Sequence, residues 1–134
     1  MVSLLFALIL STVTSEQQMQ QNYASVYKQS IEENKPLMVI VSADWCPACQ
    51  VLKNSTLKQM AQTGELNDVC VAVINKDLEP ELVQQLTKGE NLLPQIIMFT
   101  KSESGQWNRR RLIGFQPKQP VRSLIRKAIL DRQG

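Results

Sequence analysis

The sequence predicts an α/β domain built on a four-stranded mixed sheet with helices on both faces. Three observations carry this. Short apolar runs rich in β-branched residues alternate with segments whose apolar residues recur at helical spacing. The first two runs are separated by a helical stretch, so they pair in parallel through a crossover. The last two are separated by a short polar turn, so they pair antiparallel. With 134 residues, 43% of them hydrophobic, the chain suits one domain with a real core.

The elements follow in the order α-β-α-β-α-β-β-α. Met19, Tyr23, Val26, Tyr27 and Ile31 recur at helical spacing between Gln17 and Asn34. Asn34-Lys35-Pro36 ends that helix, because the residue before a proline is pushed out of the α region. Leu37 to Val41 is a continuous apolar run, as suits a parallel strand covered on both faces. Ser42-Ala43-Asp44-Trp45 leads out of it. A helix then begins near Cys46, with Pro47 in its first turn, where a missing N–H costs nothing. It is expected to reach about Met60, with Val51, Leu52 and Leu57 facing inward.

Gly64 interrupts the pattern, and Val69 to Ile74 reads as a second buried strand. Glu79 to Lys88 is a short helix carrying Leu82, Val83 and Leu86, closed by Gly89-Glu90-Asn91. Ile96 to Phe99 is a third strand. Lys101 to Gly105 is polar turn chemistry, and Trp107 to Ile113 is a fourth strand. Gly114-Phe115-Gln116-Pro117 breaks the chain again. Pro120 opens a last helix, with Val121, Leu124, Ile125, Ala128 and Ile129 on one face.

The first residues read as a separate segment. Leu4 to Leu10 is an unbroken apolar run, small polar residues follow to Ser15, and a polar stretch opens at Glu16. This is the pattern of a signal peptide cleaved near Ser15. The run falls short of the roughly 20 apolar residues a membrane span needs. No Lys or Arg precedes it, so an uncleaved N-terminal anchor and an ordinary cytosolic helix remain alternatives. The expected division is a signal peptide or anchor over 1–15 and a domain over 16–134. The expected location is periplasmic or secreted, or cytoplasmic if the run is not a signal. Membrane contact is expected only if the segment stays uncleaved.

Composition narrows the chemistry. A net charge of +3, with acids and bases mixed, is not the clustered basic face of a nucleic-acid binder. The absence of histidine removes Ser-His and Cys-His nucleophile pairs and most zinc sites. Arg109-Arg110-Arg111 is expected to be a solvated charged edge that resists strand pairing, with a docking patch as the alternative. Cys70 is expected to pack as a small hydrophobe. Trp107 is left open between packing under the hairpin and a surface contact.

The chemistry gathers at Trp45-Cys46-Pro47-Ala48-Cys49. A Cys-x-x-Cys pair serves as half a zinc site, a haem attachment or a redox couple. Zinc needs about four ligands, and only Cys70 remains, inside a strand. Haem attachment needs His directly after the second Cys, and Gln50 stands there. A redox couple is left, although an inert disulfide or two packed thiols remain alternatives. The pair lies past the carboxyl end of a buried strand and at the start of a helix. Backbone N–H groups and the helix dipole stabilise a thiolate there. Cys46 is then the nucleophile, and Cys49, one turn further in, attacks the mixed disulfide to release product.

The segment from Pro36 to Cys49, Leu93-Pro94 before a strand and Gly114 after the hairpin together resemble the thioredoxin superfamily. The resemblance covers about Gln17 to Asp131. It implies a thioredoxin-like fold with strand order 2-1-3-4, and thiol-disulfide oxidoreductase activity on protein disulfides. It implies that Cys46 is the exposed attacking thiol, that Cys49 resolves, and that Trp45 packs beside the site, with Pro47 and Ala48 between the cysteines. Pro94 is expected to be cis and to face the disulfide, while Leu93 offers backbone groups to an extended substrate. Neither cofactor nor metal is called for. Protein thiols or disulfides, a redox partner that recycles the pair, and a monomeric state are expected.

Two departures stand out. Many thioredoxins carry a buried Asp in the strand before the motif and a Lys in the next strand. Ile40 and Val73 stand at those positions here. Proton transfer then falls to water or to a group such as Asp44 or Asp77. The Pro-Ala pair between the cysteines also differs from the family's Gly-Pro, so an intermediate potential is expected. A thioredoxin-like module that binds clients, with secondary cysteines, is the alternative function. Peroxidase chemistry at Cys46 is less favoured, because no Arg and Thr can be placed beside it.

Overall fold

The computed structural model describes residues 22–134. The expected leader and the helical pattern before Asn22 lie outside them. The first helix, α1 (Tyr23–Glu33), starts where the Asn22 side chain accepts from the Ala24 N–H at 2.8 Å. It stops where Asn34 turns left-handed, just before Pro36.

Four strands form one sheet in the order β2-β1-β3-β4, as the resemblance implied. They are β1 (Leu37–Ser42), β2 (Cys70–Asn75), β3 (Gln95–Lys101) and β4 (Trp107–Ile113). β1 pairs parallel with β2 and antiparallel with β3, which pairs antiparallel with β4. All six residues of β1 are buried, which explains its unbroken apolar run.

Alternation along the strands builds two cores. Met38, Ile40, Ile96 and Met98 face one side, with Leu52, Leu57 and Met60 from the helix after the cysteines and Val121, Leu124, Ile125 and Ala128 from the last helix. Leu37, Val39, Val41 and Ile97 face the other, with Val26 from α1 and Val83. Cys70 belongs to this second core as a buried free thiol, matching its expected role.

The helix after β1 departs from its expected form. It is α2 (Pro47–Val51), then a π-helical segment over Leu52–Leu57, then α3 (Lys58–Gln62). At about 100° per residue, an α-helix would point Leu52 and Leu57 roughly 140° apart. The wider π turn brings them towards one side, and both are fully buried. Val51, in the α-helical turn before that segment and about 200° around from buried Cys49, is 52% exposed, where an inward position was expected.

The arginines of β4 also differ from a free, solvated edge. Arg109 and Arg111 donate to Leu86 O at 3.0 Å and Thr87 O at 3.1 Å. Those are the last carbonyls of α4 (Pro80–Thr87), where the helix end carries partial negative charge. Arg110, on the other face, forms a fork with Asp131 at 2.6 and 2.9 Å. The alternating triplet thus ties β4 to a helix on each side, because Asp131 lies in α5 (Lys118–Gln133). Pro120 sits inside the first turn of α5 rather than opening it. Trp107 stacks on Tyr27, with ring centroids 6.3 Å apart.

Candidate redox site

β1 delivers the chain to its carboxyl end, and Ala43 to Cys46 make the turn into α2, with the Cys46 N–H donating to Ala43 O. Cys46 caps α2, and Pro47 occupies its first turn. Cys46 and Cys49 are joined as a disulfide, their Cα atoms 5.3 Å apart. The Cys49 N–H also points at Cys46 Sγ, at 3.2 Å.

Ala43, Cys46 and Cys49 form a small buried cluster, with Ala48 and Leu93 packed against it. Cys46 is the more open of the two cysteines, yet only 5% exposed, against 0% for Cys49. The exposed thiol that the resemblance implied is therefore a nearly covered one. Packing by Ala43 and Leu93 accounts for that cover.

Leu93-Pro94 is a cis peptide, as expected. Pro94 is buried, and its carbonyl accepts from the Gly114 N–H at 2.8 Å, which ties the loop to the end of β4. The Leu93 N–H and C=O make no hydrogen bond among the described residues. Thr56 Oγ1, buried in the π-helical segment, donates to Gln116 O at 2.8 Å and holds the loop after Gly114.

Trp45, expected to pack beside the site, is 66% exposed. Its indole N–H donates to Asp77 Oδ2 at 2.8 Å. Asn75 anchors this arrangement, donating to Asp44 Oδ1 at 3.2 Å and accepting the Asp77 N–H at 2.9 Å. Both candidate proton carriers, Asp44 and Asp77, are thus exposed acceptors within one surface network. Asn75 was missed from the sequence, because a strand-end Asn carries no pattern that announces such a role. The apolar residues Leu92, Ile113 and Phe115 are also exposed, on the chain beside Leu93-Pro94 and Gly114.

A described cleft of about 550 Å³ lies at the other end of the sheet, lined by Ser30, Lys35, Lys101 and Trp107 among others. It contains neither paired cysteine, so chemistry rather than cavity size identifies the site.

Comparison with known proteins agrees with this geometry. Residues 18–101 match a family model described as thioredoxin-like. A thioredoxin from Alicyclobacillus acidocaldarius subsp. acidocaldarius is 31% identical over 99 residues, covering 74% of this chain and 87% of its own. The chain belongs to the thioredoxin-like family. Among solved structures, a thioredoxin from Thermus thermophilus superposes with a TM-score of 0.69 at 18% identity, covering 87% of this chain and 91% of its own. Chloroplastic thioredoxin z gives 0.65 at 22% identity, covering 84% and 94%. At such identities these structures speak for the fold alone. Family and cysteine pair together make the protein a thiol-disulfide oxidoreductase in the general sense.

Against the thioredoxin-like pattern, the departure at Ile40 and Val73 is now spatial. The two residues face each other in register across β1 and β2, and Ile40 is fully buried. No titratable group stands at either position.

Proposed function

We propose that the protein exchanges disulfides with extended polypeptide segments, with Cys46 as attacking thiol and Cys49 as resolving thiol. In the reduced form the Cys46 thiolate attacks one sulfur of a substrate disulfide. The other substrate sulfur leaves as a thiolate and takes a proton. Cys49 then gives up its proton and attacks Cys46 Sγ, which frees the second substrate sulfur as a thiol. Two electrons pass from the enzyme dithiol to the substrate, and the enzyme is left in the disulfide state described above. A dithiol partner returns those electrons for reductase turnover, whereas a disulfide oxidant drives the reverse direction.

The observation that carries this reading is the pairing of the disulfide with Leu93. Leu93 packs on the cysteine cluster, and its backbone groups are free of protein partners among the described residues. An added substrate strand can take up such groups. The Cys49 N–H aimed at Cys46 Sγ supports the assignment of Cys46 as the stabilised thiolate.

Insulin-disulfide reduction, followed as turbidity with a chemical reductant, tests this. Wild-type protein is expected to accelerate the reaction and the Cys46→Ser variant to lose the acceleration. Retained activity in Cys46→Ser overturns the assignment. The same variant addresses a client-binding reading, which the exposed Trp45, Leu92, Ile113 and Phe115 favour. A Cys46→Ser protein that still suppresses aggregation of an unfolded client, without redox turnover in the wild type, supports that second reading.

We place the protein outside the cytoplasm, on the strength of the apolar run Leu4 to Leu10 and the polar opening at Glu16. A mature N-terminus near Glu16 in a fractionated cell is the expected result. An intact N-terminus in the cytoplasmic fraction contradicts it.

A further inference from the structure

We infer that Gln95 is a positioning residue, setting the backbone of Leu92 to Pro94 for docking of a polypeptide substrate. The inference rests on the polypeptide-exchange reading above and assigns part of that site to a residue outside the cysteine motif. Gln95 opens β3, directly after Pro94, paired with Val41 on one side and Ile113 on the other. Its neighbours along the strand are Ile96, Ile97 and Met98, and its own side chain is 0% exposed.

The amide reaches back along the chain. Nε2 donates to Glu90 O at 3.0 Å and to Leu92 O at 2.9 Å. Both partners are carbonyls, so the nitrogen must face them, and both of its hydrogens are used. Glu90 closes the loop on itself, its Oε1 accepting the Leu92 N–H at 3.1 Å. The Gly114 N–H holds the far end at Pro94 O. Leu93 lies between these two anchors, against the cysteine cluster, with its own backbone groups unengaged. Gln95 therefore fixes the backbone leading into Leu93, beside the disulfide.

The stability that the glutamine gains from its two hydrogen bonds is offset at the other atom of its amide. Its Oε1 is buried and has no partner among the described residues. A buried acceptor without a partner is unfavourable, and an apolar residue of similar size avoids it. What the amide does at this buried position is hold two carbonyls of the docking loop.

The experiment compares Gln95→Leu and Gln95→Glu with wild-type protein. Gln95→Leu keeps the size and removes both donors together with the orphan acceptor. Its stability to urea is expected to stay close to wild type, because losing two hydrogen bonds offsets removing the orphan acceptor. Its KM for insulin disulfide is expected to rise about tenfold with kcat changed less, below the roughly hundredfold loss that a misplacement of about 1 Å causes. Amide exchange at Leu92 and Gly114, whose N–H groups donate to Glu90 Oε1 and Pro94 O, accelerates locally. Gln95→Glu sets a carboxylate oxygen against two carbonyls and shows the same loop signature with lower stability. Unchanged exchange at Leu92 and Gly114 in Gln95→Leu overturns the inference, as does a stability loss with KM unmoved. The exchange measurement needs no turnover. If wild-type protein fails to reduce insulin, the polypeptide-exchange reading falls while the positioning of the loop is still decided.

Discussion

Replacing Leu57 with alanine is expected to destabilise the oxidised protein by about 3–4 kcal/mol, while replacing Val51 changes stability by less than about 0.5 kcal/mol. Leu57 is fully buried in the core that also holds Ile40, Met60 and Leu124. Alanine removes three carbons, about 2.4 kcal/mol at roughly 0.8 kcal/mol each. The cavity left in a packed core raises the loss into the range of about 2.7–5 kcal/mol found for such truncations. Val51 is 52% exposed. Its two carbons are worth about 1.6 kcal/mol when buried, so about half of that is lost. Alanine's stronger helix preference offsets about 0.5 kcal/mol of the remainder. Urea unfolding of both variants, with the disulfide intact, reads the difference. Leu57→Ala moves the midpoint by about 1 M or more at an m-value of about 1–3 kcal/mol/M, and Val51→Ala barely moves it. Equal losses in the two variants would falsify the placement of Leu57 in the core and of Val51 at the surface.

Three further outcomes follow from particular contacts. Burial, reinforced by Glu33, pushes the Cys70 thiol up from 9.0 to about 11. The stabilisation from keeping it neutral is complete below pH 9.0 and lost as pH rises towards about 11. Wild-type stability is therefore expected to fall across that window and Cys70→Ala to flatten the fall; parallel pH profiles contradict this. Asp77→Ala releases the Trp45 indole and costs about 1 kcal/mol or less, because the contact is exposed. It is expected to lower Trp45 fluorescence anisotropy and raise the insulin KM several-fold (about 3–10, on the scale of one lost hydrogen bond); unchanged values for both refute the anchoring role. The Arg110 side chain holds the Asp131 carboxyl below its ordinary 3.8. That contribution is present above pH 3.8 and lost as pH falls through the lower folded value. Arg110→Ala should be less stable than wild type near neutrality, with the gap closing in acid; a gap that stays constant in acid rules this out.

The sheet was legible because its strands are short apolar runs whose separations dictate parallel or antiparallel pairing. The redox pair was legible because Trp45-Cys46-Pro47-Ala48-Cys49 and Leu93-Pro94 are local patterns with specific chemistry. Apolar periodicity could not reveal the π turn, since Leu52 and Leu57 reach one side only after the helix widens. The charge triplet hid its role for a related reason. Arg109 and Arg111 find carbonyls of α4, which is distant in sequence and near only after the strand has paired. Asn75 and Asp77 likewise meet Asp44 and Trp45 only through the β1–β2 crossover. Gln95 left a faint signal, a polar residue at the head of an apolar strand, but its two carbonyl partners required the folded loop.

The account's central claim is that Cys46 and Cys49 form a working two-electron couple. Equilibration of the protein against glutathione buffers, with the fraction oxidised read by thiol alkylation, tests it most directly. The expected result is one two-electron transition with a midpoint between about −270 and about −120 mV, abolished by Cys46→Ser. The pair's failure to titrate between dithiol and disulfide contradicts the claim.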